Sequence, residues 1–356
     1  HYPLRRQRQM CIRDRYNSAI KDKKIEWLIN PLYGLGSKKI IGSGKIQSNI
    51  STKGLFPRIQ LGYKIKSFHN QHISLSTEER WTKQEIFADF RLKTKNLRTS
   101  PFQNIKIRTL KIDDYVADGI FTNPPKRKVR EQYYGEMEYR IKNRQILKPK
   151  ELKINYIYGF NENSNLVNCV QLTSKIEKSY NKSSDKIKWR FFAGYHFNEH
   201  ISERYSFYLS GKNGEMDYLY DNTYLARNSS NQNKFLSRQN DNSYGGFKLM
   251  DTTLKSNNWM ISNNFKIDIP KLPIGIFTDI GVFKSNTGEN KVNWEYNAGI
   301  FTRVTVNEEI IGIYLPILYS NNFGASLNNL KILQRISFIF NLNNINPFHL
   351  KKTIEP

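Results

Sequence analysis

The stretch IKWRFFAGYHF, residues 187–197, decides the fold class. Its side chains alternate between two faces with a period of two, which is the period of a β-strand. One face is apolar and aromatic and the other is polar or small: the first consists of Ile187, Trp189, Phe191, Ala193, Tyr195 and Phe197, and the second of Lys188, Arg190, Gly194 and His196. The stretch therefore predicts a long strand with two chemically distinct faces.

The same alternation recurs along the chain from Tyr16 onward, separated by clusters of Asn, Ser, Asp and Gly that favour turns. Further strands are predicted in residues 59–65, 152–160, 259–269, 292–303 and 332–342. In all, the pattern predicts about fifteen strands of about ten residues, the length with which a tilted strand crosses a bilayer. Strands of soluble proteins are shorter, most often five to six residues.

Composition excludes two other classes of protein. The chain has 356 residues, a formal net charge of +25 and 38% hydrophobic residues, with a mean hydropathy of −0.65. It contains no apolar run of the length that a transmembrane helix needs. Its 21 Tyr, 21 Phe and 5 Trp are too many for a disordered chain. The two cysteines, Cys11 and Cys169, are too few for a disulfide framework.

The chemistry of the two faces separates a membrane barrel from a soluble sheet. Long cations such as Arg190, Lys266 and Arg303 occupy the polar face, which suits a wet interior, and aromatic residues lie near strand ends, as in interfacial girdles. We therefore predict an all-β fold, a closed antiparallel transmembrane β-barrel of about fourteen strands, with a range of about twelve to sixteen. A soluble all-β protein is the alternative. Pro316 interrupts an apolar strand and predicts a bulge.

The first fifteen residues are interpreted separately. Residues 8–15, RQMCIRDR, resemble a translated sequencing-library adapter, and residues 1–15 show no apolar period. The alternative is a basic, disordered N-terminal arm. We predict that residues 1–15 are non-native or disordered and that residues 16–356 are the barrel, the C-terminal part of a longer protein.

One motif has the spacing of a zinc site. His196, Glu199 and His200 form an HxxEH sequence, which binds zinc when both histidines lie on one face of a helix. Here His196 ends an alternating strand and the following residues have turn composition, so the histidines are not expected to converge. The motif is interpreted as a polar turn.

Other short motifs also fail the requirements of their chemistry. Gly44-Lys45 lacks the earlier Gly and the following Ser or Thr of a phosphate loop, so the small residues Gly42, Ser43 and Gly44 are interpreted as permitting bending or close packing in a curved strand. The pairs Asp113-Asp114 and Glu308-Glu309 are adjacent on strands, where neighbours point to opposite faces, and are interpreted as solvated charges at strand ends. We predict no catalytic, cofactor-binding or metal-binding residue, no cofactor, and no enzyme activity of this chain alone.

The excess of positive charge raises the question of nucleic-acid binding. Lys and Arg are dispersed over nearly every polar face, and only residues 126–128 and the pair Lys148 and Lys150 are clustered. A nucleic-acid site would concentrate cations in a patch with aromatic platforms. We therefore predict no nucleic-acid partner.

Two stretches carry a family resemblance. Residues 312–352, GIYLPILYSNNFGASLNNLKILQRISFIFNLNNINPFHLKK, resemble the C-terminus of gluzincin-type metallopeptidase-like surface proteins of Gram-negative bacteria, and residues 27–44, WLINPLYGLGSKKIIGSG, resemble the start of their C-terminal outer-membrane barrel. The resemblance implies a barrel in the outer membrane, in contact with lipid, that anchors or helps export an upstream peptidase-like region. No zinc ligand carries over, because the HExxH segment has no counterpart here. The alternative is a stand-alone porin or transporter with a basic lumen.

The sequence also predicts which connection is the longest external loop. If the last strand ends near Phe340 and delivers the tail to the periplasm, parity places residues 211–258 outside and 270–273 inside. We predict that residues 211–258 fold over or into the external mouth and offer a surface for a partner. The predicted anchors are aromatic: Tyr218, Tyr220, Tyr224, Phe235 and Tyr244. A mobile, solvated loop is the alternative.

Overall fold

A computed structural model gives the architecture of the chain. The structure describes residues 9–11, 15–17, 23–34, 39–71, 78–94, 100–118, 126–143, 145, 147–161, 164–180, 185–198, 201–212, 214, 216–222, 224–225, 227, 235–249, 251, 253–285, 291–305, 309–323 and 331–340. These residues form an all-β architecture, a large antiparallel sheet of many strands.

The elements follow one another in chain order. The strands are β1 Gln9–Cys11, β2 Arg15–Tyr16, β3 Ile25–Gly34, β4 Lys39–Ser51, β5 Arg58–Gln71, β6 Glu78–Arg91, β7 Phe102–Asp118, β8 Lys126–Lys142, β9 Lys150–Phe160, β10 Asn165–Ser179, β11 Lys186–His196, β12 Phe207–Tyr208, β13 Gly211–Lys212, β14 Gln239–Asp241, β15 Lys255–Ser256, β16 Trp259–Asp268, β17 Ile274–Lys284, β18 Val292–Thr305, β19 Glu309–Tyr319 and β20 Ser337–Phe340. Short 3₁₀ turns occupy Glu203–Tyr205, Phe235–Arg238, Asn321–Phe323 and Ile332–Arg335.

The chain divides into two compact units, of which the first contains residues 1–93, 104–138 and 158–165. Strands β3 to β7 pair consecutively and antiparallel in this unit. The short strands β1 and β2 both pair with β3. Gln9–Cys11 thus has a defined pairing within the segment predicted to be non-native or disordered, and the origin of that segment stays a prediction.

The second unit contains residues 94–103, 139–157 and 166–356. Here β9 pairs with β10, and β10 pairs with β11. Strand β11 then pairs with β16, across the 62 residues from 197 to 258, and β16 to β20 continue as an antiparallel meander. The register shifts where Gly299 opposes Pro316, which confirms the predicted bulge. Since proline has no N–H to donate, the shift places it outside the regular ladder.

The strands bury their polar face and expose their apolar face. On β17, Asp279 is 0% exposed, whereas its neighbours on the opposite face, Ile276 and Ile280, are 51% and 41% exposed. On β16, Asn264 is buried and Phe265 is exposed. In the first unit, Glu85 on β6 is buried and the adjacent Ile86 is exposed. A soluble sheet packed on a core shows the opposite arrangement.

Most predicted strands are confirmed in the structure, and one is wrong in part. Residues 59–65, 152–160, 187–196, 259–268 and 292–303 lie in β5, β9, β11, β16 and β18. The predicted last strand over 332–342 is wrong at its start, because Ile332–Arg335 form a 3₁₀ turn and the strand begins at Ser337. Thirteen of the described strands have ten or more residues. Closure into a barrel and the number of its strands stay predictions.

Candidate functional site

The polar face of the first unit is organised by a network of buried charges. Arg108 on β7 donates from Nε to Glu136 on β8 at 2.6 Å and from Nη1 to Glu85 on β6 at 3.2 Å. Lys64 on β5 donates to the same Glu85 at 2.6 Å. Buried charges are costly unless they are paired, and this network pairs them across four strands. Around Glu85, the charges of this polar face are therefore compensated by ion pairs and hydrogen bonds.

The same network contains further cations. Lys83 and Lys106 lie 3.6 and 3.8 Å from the Glu85 carboxylate oxygens. The ammonium group of Lys64 also lies 4.4 Å from the centre of the Phe87 ring, within the range of a cation–π contact. Lysines of neighbouring strands thus share one carboxylate and one aromatic ring.

In the second unit, the described residues between 201 and 258, part of the connection from β11 to β16, fold back onto the polar face of the strands. We call these residues the covering segment. It is held by short pairings: β12 with β15, β13 with β14, and β14 in parallel with β20. Its buried side chains are mostly apolar or aromatic, among them Ile201, Tyr205, Phe207, Tyr208, Leu209, Met216, Tyr218, Leu219, Tyr220, Tyr224, Phe247 and Leu249.

Glycines on the strands make room for the covering segment. A Cβ on Gly194 of β11 would lie 2.7 Å from the Phe207 ring, and a Cβ on Gly281 of β17 would lie 2.5 Å from Leu209. Both distances are shorter than van der Waals contact allows. Small residues at these positions therefore let the aromatic and aliphatic side chains of the segment reach the sheet.

Polar contacts fix the segment to the strands. The backbone N–H of Lys248 donates to Asp279 Oδ2 at 3.1 Å, and Asn264 Nδ2 donates to the Gly245 carbonyl at 2.9 Å. Ser337 Oγ on β20 donates to the Lys248 carbonyl at 2.6 Å. Because these groups are buried, each lost hydrogen bond would leave an unsatisfied partner. The segment is bound specifically, through backbone groups as well as side chains.

Inside the covering segment, Arg227 organises a cluster of acidic and aromatic groups. Arg227 Nη2 donates to Asp217 Oδ2 at 2.5 Å, and the guanidinium lies 4.8 Å from the ring centres of Tyr220 and Tyr224. Burial raises the pKa of Asp217, against the opposing effect of Arg227. Burial and the charge of Asp241 raise the pKa of Tyr224 well above its ordinary value. The cluster stiffens the segment through paired, desolvated charges.

Beyond the covering segment, further ion pairs line the polar face of the second unit. Lys266 on β16 lies 3.3 Å from Glu309 on β19 and also contacts the Tyr314 hydroxyl. Arg303 on β18 pairs with Asp268. Glu309 begins β19, so its predicted position at a strand end is confirmed. The prediction that it is a solvated charge is wrong, because Lys266 and Tyr314 bind its carboxylate.

The structure also corrects the prediction for the other carboxylate pair, Asp113-Asp114. Asp113 and Asp114 were predicted at a strand end but lie inside β7, which continues to Asp118, and Asp114 is buried.

His196 ends β11, is buried, and stacks on Phe207 with ring centres 4.0 Å apart. Glu199, His200 and Glu308 lie outside the described residues. The described residues contain no group of three or more His, Cys, Asp or Glu side chains placed to hold a metal ion.

Two structural predictions are confirmed in detail. Gly42 has a φ of +134°, and a Cβ there would lie 2.1 Å from the Asn30 carbonyl oxygen, so this point of the strand requires glycine. Of the predicted aromatic anchors in residues 211–258, Tyr218, Tyr220 and Tyr224 are buried. Tyr244 is half-buried, and its ring contacts the rings of Phe192 on β11 and Phe207 on β12.

The remaining predicted anchor, Phe235, contacts a strand from an exposed position. Phe235 is 51% exposed, and its ring stacks on Phe338 of β20 with a centre-to-centre distance of 4.7 Å. It therefore rests on the last strand at the edge of the covering segment. The charge networks around Glu85 and Asp279 were not predicted, because they join residues of different strands whose register the alternation alone does not give.

Comparisons with known proteins give little further guidance. No protein-family model and no curated protein matches the chain. Among solved structures, CdiB from Acinetobacter baumannii is similar over 84% of this chain, with a TM-score of 0.42 and 9% sequence identity. The match covers 51% of that protein's chain, so this chain spans about half its length. No helix in the described part of the chain is long and apolar enough to cross a membrane.

Proposed function

We propose that this chain is an outer-membrane β-barrel that carries out transport or export, or anchors an attached region, through a polar interior that the covering segment partly fills. The observation that carries the proposal is the inverted burial of the strands. Many charged and amide side chains occupy the buried face, together with some aromatic ones such as Trp81 and Phe277. Large apolar side chains, with isoleucine the most frequent, occupy the exposed face. Lipid is the solvent in which that arrangement is stable.

The exposed apolar side chains give a free-energy reason for a lipid environment. Full burial of one Ile or Phe side chain stabilises a protein by about 1.5–3 kcal/mol relative to leaving it in water. The chain leaves large apolar residues exposed on both units, among them Ile40, Ile86, Ile276, Trp294 and Leu318. In water their stabilisation would be lost, whereas hydrocarbon recovers it. The exposed apolar face therefore supports contact with acyl chains.

The covering segment favours a gated or plugged passage over an open pore. It occupies the polar face between β11 and β20 with buried aromatic side chains and specific hydrogen bonds. An open porin would keep this face wet. Opening of the passage would require these contacts to break.

The association with a metallopeptidase-like region is a separate part of the proposal. It rests on the resemblance of residues 27–44 and 312–352 to such proteins. The covering segment is compatible with a barrel that assists export of an attached region. A stand-alone transporter would lack that region. Sequencing the reading frame upstream of the Tyr16 codon and searching it for an HExxH segment distinguishes the two.

Heat modifiability tests the barrel directly. The full chain would be expressed in a Gram-negative host, the outer membrane isolated, and the unboiled and boiled protein compared by gel electrophoresis. We expect the protein in the outer-membrane fraction, resistant to carbonate extraction, with a change in mobility on boiling. Release by carbonate, with one mobility in both samples, would contradict the proposal.

A further inference from the structure

In the first unit, the outward face of β5, β6 and β7 changes character along the strands. This is the face on which Leu61, Ile86 and Ile107 are exposed. The register arranges its side chains in rows, each with one residue from each strand. Two neighbouring rows are apolar: Ile59, Phe90 and Ile105, then Leu61, Ala88 and Ile107. A row further along is entirely polar: Ser67, Thr82 and Asp113. The apolar surface therefore ends before the strands do.

Polar contacts join the side chains at that end of the outward face. Arg80 Nε donates to Ser67 Oγ at 3.1 Å, and the hydroxyl oxygens of Ser67 and Thr82 are 3.2 Å apart. Lys111 on β7 lies 3.1 Å from Glu131 on β8, and their side chains are 35% and 40% exposed. Charged side chains that face hydrocarbon are costly and rare. This end of the outward face therefore does not suit acyl chains.

The inward face changes in the opposite sense. Beside the apolar rows it carries the network of buried charges around Glu85. Toward the polar row it carries Trp81 and Ile112, which are 5% and 0% exposed, and the Trp81 ring centre lies 5.4 Å from that of Phe68. Two ionisable residues are also buried on the inward face at this end: Lys83 and Asp114. Apolar side chains turned inward and polar ones turned outward are the arrangement of a sheet in water.

Strand length gives an independent reason for strands that continue beyond the bilayer. Strands β7 and β8 have 17 residues each, which is about 56 Å at about 3.3 Å per residue. At a tilt of about 45° they span about 40 Å along the bilayer normal, about 10 Å more than the hydrocarbon core. By contrast, β16, β17 and β19 have 10, 11 and 11 residues.

We propose that the bilayer surface crosses β5, β6 and β7 within their length, and that the outward side chains beyond it contact the lipid headgroup layer and water. The transition lies near the row of Tyr63, Ile86 and Thr109. There the Tyr63 hydroxyl donates to Gln84 Oε1 at 3.1 Å, and a tyrosine suits a level where acyl chains meet polar groups. Headgroups are the partner of this surface because they carry the charges and acceptors that Arg80 and similar side chains need. The inference rests on the proposed function, since only a chain in a bilayer has such a boundary.

Reaction of single cysteines with N-ethylmaleimide tests the boundary in the full chain embedded in lipid vesicles. This reagent crosses membranes, so the direction of insertion does not matter, and the thiolate that it modifies forms only where water is present. The background carries Cys11→Ser and Cys169→Ala. Each strand then supplies one position beyond the boundary and one matched control before it: Thr82→Cys against Ala88→Cys on β6, and Asp113→Cys against Ile107→Cys on β7.

We expect Thr82→Cys and Asp113→Cys to react about tenfold or more faster than their controls in vesicles, because apolar surroundings suppress the thiolate. In urea all four should react at the same rate, which controls for intrinsic reactivity. Heat modifiability of each variant confirms folding before the reaction is measured, and the two strands give independent pairs.

The other outcomes separate this inference from the proposed function. Slow reaction at all four positions of heat-modifiable protein would extend the acyl-chain surface to the strand ends and overturn only this inference. Reaction at all four positions as fast as in urea would remove the outward face from lipid and overturn the proposed function. Protection of Thr82→Cys and Asp113→Cys in isolated outer membranes but not in vesicles would show that a protein covers this end, which overturns the assignment to headgroups.

Discussion

A lysine placed in the middle of the exposed face of β17 gives the sharpest energetic test. Ile280 is 41% exposed and lies near the middle of the strand, whereas Ile274 is its first residue, on the same face. The two are six residues apart, which is about 20 Å along a strand at about 3.3 Å per residue. At a tilt of about 45° this separates their depths by about 14 Å, about half of the hydrocarbon thickness.

The expected cost depends on that depth. Ile280→Lys should lower the free energy of unfolding in lipid vesicles by about 2–4 kcal/mol, and Ile274→Lys by about 0–1 kcal/mol. In water both would be ordinary surface substitutions, within about 0.5 kcal/mol of the wild type. Urea titration of vesicle-embedded protein, followed by tryptophan fluorescence, measures the difference. Equal and small effects at the two positions would refute the assignment of this face to lipid.

Three further predictions concern the covering segment. Gly245→Ala places a Cβ 2.5 Å from the Leu209 backbone, so the covering segment should lose about 1–3 kcal/mol of local stability and be cut faster by protease. Gly135→Ala is the control: nothing lies within 4 Å of the new Cβ, so the rate of cleavage should not change. Arg227→Ala leaves buried Asp217 without its ion pair and should lower the local stability measured by hydrogen exchange by about 3–5 kcal/mol. Arg238→Ala removes a half-buried guanidinium that donates to the Leu333 carbonyl and should cost less, about 0.5–1.5 kcal/mol. Equal effects would contradict the role of Arg227. Burial lowers the pKa of Lys248 to about 8 from the ordinary lysine value of about 10.5, assisted by Lys266 and Arg190 and opposed by Asp279 and Glu309. The folded state therefore loses stability as pH falls from about 10.5 to about 8, and stability is constant below that. Protease resistance of the segment should rise from about pH 8 to about pH 10, and Lys248→Met should abolish that rise.

The alternation of residue types was sufficient to predict the faces of the strands. Ser262 and Asn264 against Ile261 and Phe265 show the pattern, and the structure buries the first pair and exposes the second. This works because side-chain direction on a strand depends only on the parity of the residue number. The prediction that residues 211–258 fold inward is also supported by the buried tyrosines, while their position outside the membrane stays a prediction.

Contacts between distant residues could not be predicted in the same way. Arg108 meets Glu85 and Glu136, which are 23 and 28 residues away in sequence, and those meetings require the register of β6, β7 and β8. The end of the chain shows a different limit. The apolar residues Ile332 and Leu333 suggest a strand, but they lie in a 3₁₀ turn and are exposed. Hydrophobicity alone does not distinguish a short turn from a strand.

Quenching of single tryptophans by brominated lipid tests the central claim most directly. Trp294 is 65% exposed on the apolar face of β18, and Trp81 is 5% exposed on β6. In vesicles of brominated phospholipid, a variant that keeps only Trp294 should be strongly quenched, and a variant that keeps only Trp81 should retain its fluorescence. Equal fluorescence of the two variants, or quenching of Trp294 by aqueous acrylamide but not by brominated lipid, would contradict the membrane assignment.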